Sequence, residues 1–377
     1  MDFELSEEQV LLKDSIDRFV KDNYSSEDRI KLSQTDLGFS RDHWKTMAEL
    51  GWLGMAFSEE VGGFGGGAVE TMIMMESMGR GLVLEPFVST VLLGGALIAE
   101  AGNEAQIEAI IPELIEGNLM LSFGYAEAQS RFNLNDVETT ASKSGDGYVL
   151  NGTKAVVYHG GTADKIVISA RTSGASRDAD GISLFVVDTD AAGVDIRSYA
   201  TVDGQRAADV RLENVTVPTT ALLGAEGKAG PVIEKIIDRA TGALCAEAVG
   251  AMTAANEITN EYIKTRKQFG TAIGKFQVLQ HRMVDMYMEA EQSKSMSDMV
   301  AMKLDLGYED DTRKAVSAAK AQVGKAAKFV GQQSIQLHGG MGMTDEYSIG
   351  HYFKRLTTIE MLFGNTDFHL NRFSNLS

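Results

Sequence analysis

The sequence predicts a mainly helical protein with a β domain in its middle. Two observations carry this. Apolar residues at helical spacing fill both ends of the chain, while β-branched runs are confined to the centre. Only 4 prolines occur in 377 residues, which leaves room for long uninterrupted helices. The expected division is an N-terminal helical domain over 1–120, a middle antiparallel β domain over 121–228 and a C-terminal four-helix bundle over 229–377.

Ser6 to Gln9 reads as a capping box opening a first helix, with Leu12, Ile16, Phe19 and Val20 on one face. A second helical stretch runs from about His43 to Leu50. Ser58-Glu-Glu-Val-Gly-Gly-Phe-Gly-Gly-Gly67 follows as a loop. Within it, Gly63-Phe-Gly-Gly-Gly-Ala68 loosely matches a dinucleotide fingerprint, but no strand clearly precedes it. It reads instead as a turn where chain segments approach closely. Tyr148–Val157, Lys165–Ala170, Ile182–Val187, Val210–Leu212 and Val215–Val217 read as strands. Beyond Ala229, Pro231 stands where a first-turn proline is tolerated. Three long helices are expected: from there to Lys264, Phe276–Leu304 and Asp311–Leu337. Ala315, Ala318, Ala319, Val323, Ala326 and Ala327 let the third pack closely. The methionines on these helices read mostly as core filler.

The apolar fraction is 44% and the charged fraction 23%, the balance of a soluble globular chain. Lys+Arg 35 against Asp+Glu 53 gives a formal charge of −18, which repels nucleic acid and anionic lipid. An anionic ligand would need a local basic pocket. The single cysteine, Cys245, lies in an apolar run and reads as a buried thiol; alone it excludes an internal disulfide and a cysteine-based metal site. The 6 histidines show no metal spacing. No run reaches the roughly 18 apolar residues of a membrane span. Asp2, Glu4, Glu7 and Glu8 argue against a signal or transit peptide, and the C-terminal residues form no lipidation or peroxisomal signal. A cytoplasmic location is the expectation.

Two segments could carry chemistry. Thr265-Arg-Lys-Gln-Phe-Gly270, followed by Gly274-Lys-Phe-Gln-Val-Leu-Gln280, gathers a guanidinium, carboxamides and an aromatic ring at a helix end. Arg266 suits bidentate phosphate binding, although a solvated interhelical turn has the same composition. Gln336-Leu-His-Gly-Gly-Met-Gly-Met343 ends an apolar helix in glycines that let another group come near the backbone. Together the two suggest a cradle for a dinucleotide.

With Arg-Lys-Gln-Phe-Gly and Gln-x-x-Gly-Gly-x-Gly in one chain, and helical, β and helical segments in that order, the sequence resembles the acyl-CoA dehydrogenase family over nearly its whole length. The wording near Leu337 and His351 is similar to the pimeloyl-CoA dehydrogenase small-subunit type, and to subunits of heterotetrameric enzymes acting on steroid side chains. The resemblance implies FAD shared between protomers, an acyl-CoA substrate that gives up an α-proton and a β-hydride, and an electron-transfer flavoprotein as acceptor. It implies a dimer as the minimal unit, formed with itself or with a second acyl-CoA dehydrogenase subunit. Arg266, Gln268, Phe269 and Gln277 would contact FAD, with Gln336, Gly339 and Gly340 lining its adenosine-diphosphate part.

The departures concern the base. The family's common glutamate falls at Phe363, and an alternative position falls at Ala240, followed by Thr241 in place of an arginine. The flavin-contacting loop reads Ala126-Glu-Ala-Gln-Ser-Arg-Phe132 and keeps only Glu127 plainly. The strand Ala155-Val-Val-Tyr-His-Gly160 lacks the family's tryptophan. Glu247 is the candidate base that remains. It is the only charge in Gly242–Met252, and neither i−4 nor i+4 offers it a partner. Apolar surroundings would raise its pKa and suit it to take a weakly acidic proton. The competing readings are a buried structural acid bonded to another helix, and a non-catalytic FAD-holding subunit whose partner supplies the base. Glu360 reads as structural, and His338 as packing or touching FAD.

Overall fold

A computed structural model describes residues 5–376. Asp2, Glu4 and Ser377 lie outside the described residues. Helices α1 (Glu7–Asn23), α2 (Ser26–Ser33), α3 (Arg41–Glu49), α4 (Ala68–Gly81), α5 (Ala96–Ala101) and α6 (Glu104–Ile115) precede the sheet. The strands are β1 (Leu121–Gly124), β2 (Thr140–Ser144), β3 (Gly147–Tyr158), β4 (Lys165–Arg171), β5 (Ile182–Asp188), β6 (Val194–Ala200), β7 (Arg206–Pro218) and β8 (Leu222–Leu223). Then follow α7 (Gly230–Thr265), the short strands β9 (Lys267–Gln268) and β10 (Thr271–Ala272), α8 (Gln277–Leu306), α9 (Asp310–His338), α10 (Ile349–Met361) and α11 (Thr366–Asn375). No helix among the described residues is long and apolar enough to cross a membrane.

The backbone groups into two compact units. The helical unit comprises α1, α4, α7 from Thr241 onward and α8 to α11. Its α9 packs against α8, α10 and α11, burying Ala315, Ala319, Val323, Ala326 and Ala327 of the expected small-residue stripe. The capping box of α1 is present, with Gln9 N donating to Ser6 Oγ at 3.2 Å and Ser6 N to Gln9 Oε1 at 3.0 Å.

Three helices from the first part of the chain, α1, most of α2 and α4, group with the C-terminal ones. α4 belongs to this unit because two glycines let its backbone meet that of α7. A Cβ at Gly79 would stand 2.0 Å from the Glu247 carbonyl oxygen, and one at Gly250 would stand 1.9 Å from that of Glu76. The start of α4 is capped from α8: Asp305 accepts from the N–H groups of Ala68 (2.6 Å) and Val69 (3.1 Å), where carboxylates stabilise a helix N-terminus.

The second unit, residues 33–66 and 84–240, holds the sheet, ordered β6-β7-β3-β2-β4-β5-β8. Tyr148, Leu150, Ile166, Ile168, Phe185, Val210 and Val215 form its core. The antiparallel expectation needs correction around β4: β1 pairs with it in parallel, Leu121 opposite Lys165 through Gly124 opposite Ile168, and so does β2, where Thr140 lies opposite Arg171. The glycine-dense loop is a close-approach turn, since a Cβ at Gly63 would stand 2.2 Å from the Phe57 carbonyl oxygen.

The α4–α7 crossing has no room for a side chain. Gly250→Val should destabilise the chain by about 3 kcal/mol in urea denaturation. Gly340→Ala, whose Cβ would meet nothing within 4 Å, should change stability by less than about 0.5 kcal/mol.

Candidate active site

The two motif segments meet at one end of the helical unit. α7 ends at Thr265 and runs into a hairpin in which Gln268 pairs with Thr271. Both residues at its tip, Phe269 (φ 53°) and Gly270 (φ 78°), have positive φ, as tight two-residue hairpins require. The tip throws the Phe269 ring into solvent, 91% exposed, edge-on to Phe276 at 6.3 Å. Arg266, Gln268 and Gln277 are also exposed. Four residues before Arg266, Tyr262 stacks on His338 (4.3 Å between centroids, 27°), and its hydroxyl donates to the His338 carbonyl at 3.2 Å. That contact fixes the end of α7 to the end of α9, beside the glycine turn.

At Gly339 (φ 60°, ψ −137°) the backbone enters a region that favours glycine. Around both Gly339 and Gly340 the space is open, and Gln336 is exposed beside them. At Gly342, by contrast, a Cβ would stand 3.0 Å from the Ile335 carbonyl oxygen. His338 packs: its Nδ1 lies 2.7 Å from the Ser334 carbonyl, which makes Nδ1 the protonated nitrogen and leaves Nε2 a buried acceptor with no hydrogen-bond partner. Burial holds its pKa below the ordinary imidazole value.

These groups fit a flavin nucleotide. They comprise an exposed guanidinium for a diphosphate, open glycine backbone, carboxamides for polar edges and a ring that nothing of this chain covers. A solvated turn would not need so exposed an aromatic tip.

Glu247 departs from expectation. It is 4% exposed, but its surroundings are not apolar. Arg355 on α10 donates through Nε to Oε1 at 2.6 Å and through Nη2 to Oε2 at 2.8 Å. Both carboxylate oxygens are occupied, and Arg355 is itself 4% exposed. For Glu247 to reach a substrate, this buried pair would have to open. The partner lies 108 residues away in sequence, beyond the reach of i±4 reasoning. Ala240 and Thr241 are fully buried and carry no acid.

The turn after α10 holds the other base position. Phe363 has φ 57° and Gly364 φ 119°. Glu360 is structural, as expected: its Oε1 accepts from Thr366 N at 3.1 Å. Lys320, fully buried on α9, donates from Nζ to the carbonyls of Glu360 (3.0 Å) and Gly364 (2.6 Å). Burial pushes its pKa down to about 8. Sequence reading missed this residue; a lone lysine inside a stripe of small residues was the available signal.

In the sheet unit, Glu127 of the expected flavin loop turns inward. Its Oε1 accepts from Lys154 Nζ at 2.7 Å and Thr139 N at 3.0 Å, and its Oε2 from Glu138 N and Gln129 Nε2, both at 2.8 Å. Burial opposes its ionisation, but Lys154 and the other donors outweigh that and hold its pKa down to about 2. In the strand that lacks a tryptophan, Val156 is 50% exposed at φ 53°, an outlier for a β-branched residue.

Comparison with known proteins gives the same outline. The family models described as acyl-CoA dehydrogenase N-terminal, middle and C-terminal domains match residues 6–118, 122–215 and 230–375. A probable acyl-CoA dehydrogenase of Bacillus subtilis, YngJ, is 30% identical over 373 residues, 97% of each chain. Among solved structures, a variant of the Tcur3481-Tcur3483 steroid ACAD is 28% identical with a TM-score of 0.88, covering 98% of this chain and 97% of that one. The FAD complex of PigA is 25% identical with a TM-score of 0.92, covering 100% and 98%.

Arg355→Met should cost about 3–5 kcal/mol in urea denaturation by stranding the buried carboxylate, and Glu247→Met/Arg355→Met should recover most of it. Glu127, whose pKa is lowered on folding, contributes stability that is present above its ordinary value of 4.5 and lost as pH falls toward about 2. Glu127→Gln should therefore flatten acid unfolding across that window, followed by circular dichroism.

Proposed function

The chain belongs to the acyl-CoA dehydrogenase family, and from that premise we propose that it works as one subunit of a heteromeric enzyme whose companion chain contributes the proton-accepting carboxylate. The family's reaction is the FAD-dependent dehydrogenation of an acyl-CoA thioester. FAD, when bound, takes up the hydride from the β-carbon. This chain's part is to hold it: Arg266 on the diphosphate, Gln268, Phe269 and Gln277 at the hairpin end, and Gln336, Gly339 and Gly340 along the adenosine-diphosphate part. We take the acceptor to be an electron-transfer flavoprotein and the location to be cytoplasmic, which the single free cysteine supports.

One observation carries the division of labour. The buried carboxylate available on α7, Glu247, has both oxygens on Arg355, while Ala240 and Phe363 stand where a base would be sought. The name of the similar Tcur3481-Tcur3483 steroid enzyme joins two chains, which supports a heteromeric arrangement. Glu247 as the base remains the second reading, favoured by its burial on the helix that carries Ala240 nearly two turns earlier. It would require the Arg355 pair to open.

Anaerobic titration with a panel of acyl-CoA thioesters tests this. The chain alone should bind FAD without bleaching it, and the assembly with its companion should bleach. Glu247→Gln in the assembly should keep more than a tenth of the bleaching rate. Bleaching by the chain alone, or a larger loss in Glu247→Gln with FAD retained, would return the base to Glu247.

A further inference from the structure

α6 is held in the second unit by Ile110, Ile111 and Leu114, which are buried. Its apolar ridge is covered only in the middle. Ile107 and Ile115, four residues on either side of Ile111, are half-buried, and the turn at Glu59–Val61 lies across from them. With Val61 and Pro112 they floor a groove of about 360 Å³.

The rim of the groove is acidic. Glu60, Glu108 and Glu116 line it, all three are exposed, and no basic residue lines it. Among the described residues none of the three forms an ion pair; the Glu116 carboxylate is met by the Asn118 carboxamide at 3.0 Å. Glu104 and Glu108 stand four residues apart on the same helix with like charge, which disfavours the helix. Pro112 adds a further acceptor. It lies inside α6 and has no N–H for the Glu108 carbonyl four residues back, which leaves that oxygen to another donor. A solvated helix face accounts for carboxylates alone. It does not account for their bordering an apolar trough in which every polar side chain is an acceptor.

We propose that this groove is the docking site for a basic segment of a partner protein. A lysine or arginine side chain matches it: the stem lies along Val61, Ile107 and Ile115, and the charged end reaches Glu60, Glu108 and Glu116. Charge complementarity favours this occupant over an apolar one, which would bring nothing to the three carboxylates. It disfavours nucleic acid and anionic lipid. A second copy of this chain, at a net charge of −18, would approach against a field of its own sign. The proposal goes beyond the acyl-CoA reading and does not depend on it.

The test uses the full chain, labelled at isoleucine methyl groups, with three synthetic peptides and spermidine. The first peptide carries an arginine between two leucines; the second has citrulline for the arginine; the third has serines for the leucines. The arginine peptide should move the Ile107 and Ile115 methyl signals. Its affinity by calorimetry should fall about tenfold between about 0.01 and about 0.3 M salt. Citrulline keeps the shape and removes the charge, and should weaken binding about tenfold; serines should weaken it about threefold. Glu108→Gln/Glu116→Gln should weaken the arginine peptide about fivefold and leave the citrulline peptide unchanged. Asp190→Asn, at an exposed acid outside the groove, should change neither. Equal affinity for the arginine and citrulline peptides, spermidine binding as tightly as the arginine peptide, or full affinity in Glu108→Gln/Glu116→Gln would each overturn the proposal. So would methyl signals that stay in place at Ile107 and Ile115. A fall in the sedimentation mass of Glu108→Gln/Glu116→Gln would overturn it too, by giving the groove to a second copy.

Discussion

The ion pair between Glu247 and Arg355 is the constraint on which the helical unit depends. Two charges taken out of water are favourable only when every available bond between them is made, and here both carboxylate oxygens are engaged. An apolar pair would let α7 and α10 slide by part of a turn; a bidentate pair allows one register. The opposite demand comes from α4, which presses its backbone against the same stretch of α7 at Gly79 and Gly250. Residues 242–252 therefore satisfy two neighbours at once, a charge on one side and absent side chains on the other. A carboxylate so enclosed is part of the frame.

Nineteen residues beyond Glu247, roughly 28 Å along the helix axis at 1.5 Å per residue, the same helix delivers Arg266 to the hairpin. The character of the residues reverses on the way. Groups near Glu247 are buried and fully partnered, whereas Arg266, Gln268, Phe269 and Gln277 stand in solvent. The Tyr262–His338 stack marks the border: it fixes the two motif segments to each other and leaves their outward faces open. A rigid base with an open rim would suit the nucleotide proposed to bind there, because the ordering is done before the ligand arrives.

What could be read from the sequence follows the range of the interactions. The capping box at Ser6, the first-turn Pro231 and the long helices are set by residues within a few positions of one another, and they stand where the sequence puts them. The two motif segments around Arg266 and Gly340 are local in the same way. Arg355 as the partner of Glu247 was not, since nothing near either residue announces a pairing across two helices. α4 joining the C-terminal helices was hidden similarly: Gly79 and Gly250 each look like an ordinary helical glycine until they are seen against the opposing carbonyl. The parallel β1–β4 pair depends on a four-residue strand too short to show a period.

Four other buried cations share a habit that no helix or strand pattern displays. Lys154 reaches Glu127 and, at 3.5 Å, the Tyr125 carbonyl. Arg171 collects the carbonyls of Asn135, Ser176, Asp178 and Asp180. Arg206 collects those of Ser33, Thr35 and Asp36. Lys320 does the same at Glu360 and Gly364. Each is buried and reaches backbone carbonyls. Loops leave carbonyls that no ladder satisfies, and a cation with several donors fastens them at chosen points. The chain carries a net charge of −18, yet it places these positive groups in its interior. Burial opposes this, as the depressed pKa of about 8 at both lysines records. The return on that cost is a loop held at chosen carbonyls.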